Sequence, residues 1–302
     1  MMHNKTARRY SEMLATAFGK DIGELLTDAN VIEIMVNPDG KLWAETYTKG
    51  KYFTEIVFTP EVAGNIVKLV AANHQEIANY EHPEVACELP ETGARFQGWL
   101  PPIVTAPSFT IRKRATLIYT LDDYLADHSI TEAQVAKLRK GISERKNILV
   151  AGGTASGKTT FANALLHELT GTKERIIILE DLPELQLNVA DYVKLTTSST
   201  VSMRDLVKGV LRMRPDRIII GEVRDGSALE LLKSWNTGHP GGICTIHANS
   251  PEATISRLED LVHEAVSIIP KRLIQEAIDL IVFMQRSAQG KYKVASVTEP
   301  EF

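Results

Sequence analysis

The chain has 302 residues, 44% of them hydrophobic and 24% charged, with 34 basic and 38 acidic side chains for a net charge of −4. That length suits two domains, that composition suits a soluble globular protein, and the slight acidity argues against a general basic coat for nucleic acid, though not against a local basic groove. Two cysteines, Cys87 and Cys244, exclude a tetracysteine zinc module and fit a reducing, cytoplasmic setting. No run approaches the ~20 apolar residues of a membrane helix, and the segment after Arg8-Arg9 is too short and polar for a signal core, so membrane contact is expected only as a peripheral partner.

In chain order, Leu14, Phe18, Ile22 and Leu25 recur at helical spacing within residues 11–27. "VIEIMVNPDGKLWAE" reads as two strands around an Asn37-Pro38-Asp39-Gly40 hairpin turn. Thr59-Pro60 caps a helix through Asn73, with Val62, Ile66, Leu69 and Val70 on one face. "RFQGWL" and "SFTIRK" are two further short strands, so residues 1–113 form a mixed α+β domain with antiparallel strands. Residues 114–128 lack a period and read as a linker. Ser129 with Glu132 forms a capping-box pattern that opens a helix ending near Arg145.

From there to residue 302 the character changes. "NILVA", "RIIILE", "RIIIG" and "ICTIH" are continuous apolar, β-branched runs, several of them separated by helical stretches. Such strands are buried on both faces, as in a parallel sheet covered by helices, so residues 129–302 form an α/β domain. "LIVFM" and a hairpin at Gln289-Gly290 are expected to add edge strands.

The strongest chemical signal is "GGTASGKTT", where Gly152, Gly157, Lys158 and Thr159 satisfy GxxxxGK[ST] between a strand and a helix. Residues Gly152, Gly153, Thr154, Ala155, Ser156, Gly157, Lys158, Thr159 and Thr160 would then wrap a phosphate with backbone N–H groups and a helix N-terminus. In such a loop Lys158 neutralises the β and γ phosphates of ATP, and the Thr159 hydroxyl ligates Mg²⁺. "RPDRIIIGEVRD" ends a central strand at Gly221-Glu222, which puts Glu222 where a carboxylate holds Mg²⁺ through water or polarises the attacking water.

"RIIILEDLPEL" delivers two more carboxylates to a strand end. Alternation turns Glu180 and Asp181 to opposite faces, and Glu180 is favoured as the base that activates water. "TGHPGGICTIHANS" looks like a fourth strand of the same sheet, ending in His247, with His239 upstream. A lone histidine is more often structural. Beside a phosphate loop and two acidic strand ends, His247 reads better as a donor to the γ-phosphate or to Glu222. Arg95, Arg112 and Arg114 are cations of the first domain that suit a phosphate or, equally, carboxylate partners. Arg204, Arg212 and Arg214 are read onto a helix before the Glu222 strand, at a subunit interface or paired with acids.

Taken together these motifs resemble the secretion or traffic ATPases of type II and type IV secretion, type IV pili and conjugation. The phosphate loop, the "LEDLPEL" acidic box, the "GEVRD" box and the "TGHPGGICTIHANS" histidine box stand in the family's order. "NPDGKLW", "RFQGWLPP" and "SFTIRKR" are similar to the conjugal-transfer, TrbB-type branch. The resemblance implies a RecA-like P-loop ATPase domain behind a smaller α+β N-terminal domain, with ATP bound between them. It implies a homo-hexamer on the cytoplasmic face of the inner membrane, working with inner-membrane components of a type IV secretion machine. Glu180 maps to the catalytic glutamate, Glu222 to the Walker B acid, and His239 and His247 to the histidine box. Arg95, Arg112 or Arg114 would help neutralise the γ-phosphate.

The resulting expectation is a Mg²⁺-dependent ATP hydrolase that powers assembly of a conjugative type IV secretion system or transfer through it. A pilus motor is the same chemistry attached to another machine. A DNA-translocating motor is the rival from another class, opposed by the chain's acidity and by the lack of interleaved aromatic and basic residues; no direct sequence-specific nucleic acid binding is expected.

Overall fold

The computed structural model describes residues 2–47, 49–74, 76–90, 92–113, 119–287 and 291–300. The chain divides into two compact units, Met1–Leu117 and Ile118–Phe302. Arg114 and the Gln289-Gly290 turn lie outside the described residues.

The first unit pairs two helices, α1 (Met2–Thr27) and α2 (Pro60–Asn73), with six strands. These are β1 (Val31–Val36), β2 (Lys41–Thr46), β3 (Gly50–Val57), β4 (Glu84–Glu88), β5 (Arg95–Trp99) and β6 (Ser108–Arg112), ordered β3-β2-β1-β6-β5-β4 with every pair antiparallel. Strand alternation sends Ile34, Phe96, Phe109 and Ile111 to one face, where they pack with Leu14, Phe18 and Ile22 of α1 and Ile66, Val67 and Val70 of α2. The rings of Phe96 and Phe109 stack 5.4 Å apart. Thr59 caps α2 as expected: its hydroxyl accepts from the N–H of Val62, and Pro60 fills the first helical turn. The sequence reading missed β3 and β4.

The second unit carries α3 (Leu121–Ala126), α4 (Glu132–Ser143), β7 (Ile148–Gly152), α5 (Lys158–His167), β8 (Ile176–Glu180), β9 (Tyr192–Thr196) and α6 (Met203–Val210). It continues with β10 (Arg217–Val223), α7 (Ser227–Asn236), β11 (Ile243–His247), α8 (Ala253–His263), α9 (Lys271–Ala277), β12 (Leu280–Arg286) and β13 (Tyr292–Thr298). The sheet order is β13-β12-β7-β11-β10-β8-β9, parallel except for the β12–β13 pair. Helices cover both faces. Ile148 and Val150 meet α3, α4 and α5 through Leu121, Leu138, Phe161 and Leu165, while Leu149 and Ala151 meet α6 to α9 through Val207, Leu232, Leu258 and Ile274. Burial on both sides is why these strands are apolar at every position.

Three expectations are corrected here. The capping box of α4 is Thr131 with Gln134, not Ser129 with Glu132: the Ser129 hydroxyl is committed to Asp127 at 3.0 Å, and its carbonyl accepts from Val294. The segment 114–128 is not all linker, because α3 buries Leu121 and Tyr124 and has its own Thr120–Asp123 capping box. Strand β12 is interior, paired with β7 and β13, and of these two strands β13 alone is an edge; "LIVFM" is buried at all five positions because neighbours cover it on both sides and both faces.

Candidate nucleotide-binding site

Parallel strands share one carboxyl edge, and here that edge collects Gly152, Glu180, Glu222 and His247 from β7, β8, β10 and β11. Such edges are where open α/β sheets bind ligands. The phosphate loop leaves β7 at Gly152, which pairs with His247 on one side and Met284 on the other. A Cβ on Gly152 would stand 2.3 Å from the Met284 carbonyl oxygen, so only glycine fits between the two strands. Gly157 caps α5 with φ +86°, a left-handed turn that opens the helix without a side-chain cap. Its N-terminal N–H groups are thereby left for an anion.

Lys158 is 8% exposed, and its Nζ donates to the carbonyls of Gly152 at 3.0 Å and Gly153 at 2.8 Å. The charge is therefore held inside the loop. Among the described residues the buried Ser156 hydroxyl has no hydrogen-bond partner. Thr159 and Thr160 occupy the first turn of α5, and Thr154 and Ala155 are exposed at the loop tip.

Strand β10 does not end at Gly221-Glu222 but runs to Val223 through a bulge. Ile220 pairs with Cys244 and Val223 with Ile246, which leaves one extra residue on β10. The Thr245 hydroxyl donates to the Gly221 carbonyl at 2.7 Å and pins the bulge. Re-aimed by it, Glu222 binds Arg224 through Oε2 at 2.6–2.7 Å, and its buried Oε1 has no hydrogen-bond partner among the described residues. That Oε1 is 3.6 Å from His247 Nε2, which is 3.4 Å from Lys158 Nζ. Burial and then the Lys158 charge hold the His247 imidazole below its ordinary pKa against the pull of Glu222, so the ring is neutral at pH 7.

Glu180 is 2% exposed. Its Oε1 accepts from the N–H groups of Glu184 and Leu185, both at 2.7 Å. Burial raises its pKa despite those two bonds. Nearby, the Asn163 amide accepts from Gln186 at 2.7 Å and donates to Glu184 at 3.3 Å, tying α5 to the same loop. Glu180 fits because Gly221 has no side chain: a Cβ there would lie 3.1 Å from Glu180 Cγ. Asp181 caps no helix. It accepts from the Thr197 hydroxyl and faces Arg224 at 3.9 Å.

His239 is not brought to this cluster. It precedes β11, at the opposite edge of the sheet, and its Nδ1 lies 3.3 Å from the Ser234 carbonyl. Five residues of strand separate the two ends of β11 by roughly 13–17 Å. Of the first-unit arginines, Arg95 and Arg112 face each other across β5 and β6, and Arg112 also faces Glu33 across β1. They stand on the face opposite the core. Arg204 lies on α6 and reaches Glu230 at 3.4 Å, whereas Arg212 and Arg214 lie beyond that helix.

Sequence reasoning did not single out Thr245, Asn163 or Arg224. "GEVRD" gave a hint of Arg224 by placing a cation two residues after the acid. The other two act through strand pairing and helix packing, which leave no local pattern.

A parallel sheet with a GxxxxGKT loop after β7, an acid on a neighbouring strand and helices on both faces is a RecA-like P-loop NTPase architecture. The chain matches the family described as type II/IV secretion system protein over residues 65–293 and belongs to it. It is 46% identical to a conjugal transfer protein TrbB of Rhizobium radiobacter over 94% of this chain and 88% of that protein. The VirB11 ATPase of the Brucella suis type IV secretion system, solved with sulphate, superposes with a TM-score of 0.52 at 26% identity, over 98% of this chain and 96% of that one. The Legionella pneumophila ATPase DotB shares the fold, with a TM-score of 0.65 at 19% identity, over 88% of this chain and 75% of that one. Among the described residues no helix is long and apolar enough to cross a membrane.

Proposed function

We propose that this chain is a Mg²⁺-dependent ATP hydrolase that powers assembly of a conjugative type IV secretion machine or transfer through it. The observation that carries the reading is the chain of contacts Lys158–His247–Glu222, 3.4 and 3.6 Å apart, at the mouth of a glycine-framed loop. Similarity to a conjugal transfer protein and to a type IV secretion ATPase supplies the biological setting. By the same likeness the working form is a homo-hexamer held against inner-membrane components of the machine, on the cytoplasmic face.

In this reading the loop N–H groups and Lys158 bind the β and γ phosphates of ATP. The residues fit a magnesium ion: Glu222 offers a buried carboxylate oxygen that has no hydrogen-bond partner among the described residues, and Thr159 offers a hydroxyl from the first helical turn. When bound, Mg²⁺ neutralises charge on the phosphate oxygens. Glu180 takes the proton of the attacking water, with its orientation set by the N–H groups of Glu184 and Leu185. Neutral His247 donates to the γ-phosphate and exchanges that contact for Glu222 after release.

Phosphate release by the purified full chain tests this. Turnover with ATP and Mg²⁺, its loss in excess chelator, and a loss of at least about a hundredfold in Lys158→Ala are expected. Near-normal turnover in Lys158→Ala would overturn the site assignment. Loss of mating in cells that carry Lys158→Ala ties the activity to conjugation.

A further inference from the structure

We infer that Tyr292 and Arg286 form the platform that receives the nucleoside end of ATP. The inference rests on the phosphate-binding reading above. Sheet order carries the first step. The loop strand β7 lies between β11 and β12, and Gly152 pairs with His247 on one side and Met284 on the other. His247 and Glu222, suited to the γ-phosphate and the metal, stand on the β11–β10 side. A linear triphosphate seated in the loop with its γ end there runs its α end, sugar and base toward the β12–β13 side.

That side presents a stacked pair. Arg286 follows Met284 by two residues on β12, so it shares Met284's face, one pleat beyond the start of the loop. It is the cross-strand partner of Tyr292 on β13. The Arg286 guanidinium lies over the Tyr292 ring, 5.4 Å from its centroid. The ring in turn lies against the loop: a Cβ on Gly157 would meet Tyr292 Cδ1 at 2.9 Å and Cγ at 3.2 Å. Arg286 is exposed and Tyr292 half-buried, and the rest of the edge there is polar. A planar guanidinium on a phenol ring, one residue from the phosphate-binding lysine, is a stacking surface for a heteroaromatic base. Stacking acts on the π-face that every base has, and so tolerates one purine as well as the other. The pair therefore contributes affinity for the nucleoside and little discrimination between adenine and guanine.

The experiment compares two probes on the full chain by calorimetry, MgATP and magnesium tripolyphosphate, which has the phosphates and no base. Tyr292→Ala and Arg286→Ala are expected to weaken MgATP about tenfold, as loss of one stacking partner does. Tripolyphosphate affinity should be unchanged, and Tyr292→Phe should bind MgATP like the wild type. Unchanged MgATP affinity in both alanine variants overturns the inference. So does equal weakening of both probes, which would mean that Tyr292 merely braces Gly157. If the wild type binds neither probe, the phosphate site itself is wrong and the inference falls with it. If the wild type binds tripolyphosphate as tightly as MgATP, the phosphate site stands and the platform does not.

Discussion

The Nε2 of His247 lies 3.4 Å from the Nζ of Lys158, a contact in which a protonated ring would face an ammonium. Burial first and Lys158 second lower the His247 pKa below 6.5, with Arg224 and Arg257 acting in the same direction and Glu222 opposing them. The folded state thus binds fewer protons than the unfolded chain near that value. Its contribution to stability is present above pH 6.5 and lost as pH falls through the lower folded pKa. NMR titration of the histidine ring protons, with His247→Asn for assignment, should place His247 below the ordinary imidazole value in the free protein. A non-hydrolysable ATP analogue should raise it, because a γ-phosphate brings negative charge to the ring, and ADP should not. A free-protein value above 6.5, or no response to the analogue, would refute the sensor role. His247→Ala should lower kcat by roughly 10–100-fold, the loss of one hydrogen bond to a charged group.

Glu180 has two roles that substitution can separate. Its Oε1 holds the loop N–H groups of Glu184 and Leu185, and its carboxylate is placed to take a proton. Glu180→Gln keeps an acceptor oxygen and loses the base. Melting temperature and ATP affinity should stay near wild type while kcat falls about 10²–10⁴-fold. Glu180→Ala also leaves two N–H groups unsatisfied and should cost a further 2 kcal/mol or so of stability, about that of orphaned buried donors. Burial raises the Glu180 pKa, so the acidic limb of kcat should lie above the usual glutamate value of 4.5. For stability the sign is the reverse of an ordinary carboxylate. The contribution is complete below pH 4.5 and lost as pH rises through the folded pKa. An active Glu180→Gln enzyme would remove this residue from the chemistry.

Gly221, in the bulge of β10, leaves room for the Glu180 side chain. A methyl group there would sit 3.1 Å from Glu180 Cγ and 3.7 Å from its Oε1, inside a wall that has little room to give. Gly221→Ala should displace the Glu180 carboxylate and reduce kcat about ten- to a hundredfold with little change in nucleotide affinity, since a small misplacement of a reacting group costs that much. Single-turnover kinetics alongside equilibrium binding would read the two separately. A parallel loss of affinity would mean that the bulge serves binding instead.

What was legible in the chain follows from how locally each feature is encoded. The phosphate loop and its flanking strand and helix were readable because glycines, lysine and threonine must stand in consecutive positions there. The four strands that end at the site were readable because burial on both faces demands apolar residues throughout. The bulge was not, because it is a mismatch between β10 and β11 and neither strand carries it alone. Strand β12 was misplaced at an edge because an apolar run says how buried a strand is and not who its neighbours are. His239 and His247 share one motif and stand at opposite ends of β11, since a strand converts sequence proximity into distance. Asn147 went unremarked, although one side chain there fastens three elements.

Asn147 is 4% exposed at the start of β7, at the edge of the sheet opposite the loop. Its Oδ1 accepts from the N–H groups of Gly241 (2.8 Å) and Gly242 (3.0 Å), and its Nδ2 donates to Ala277 at 2.8 Å. The approach to β11 and the end of α9 are thereby locked to β7. Gly242 is held so close to Trp235 that a Cβ would stand 2.0 Å from the indole nitrogen, so the glycines after His239 serve packing. Asn147→Leu keeps the volume and leaves two buried donors and one acceptor unpaired, a cost of about 3 kcal/mol. The melting temperature should fall by roughly 6–12 °C for a unit of this size. Far below that temperature, kcat and ATP affinity should stay within about twofold of wild type, because the site lies at the other end of the strands. A loss of activity without a loss of stability would show that this edge is coupled to the chemistry.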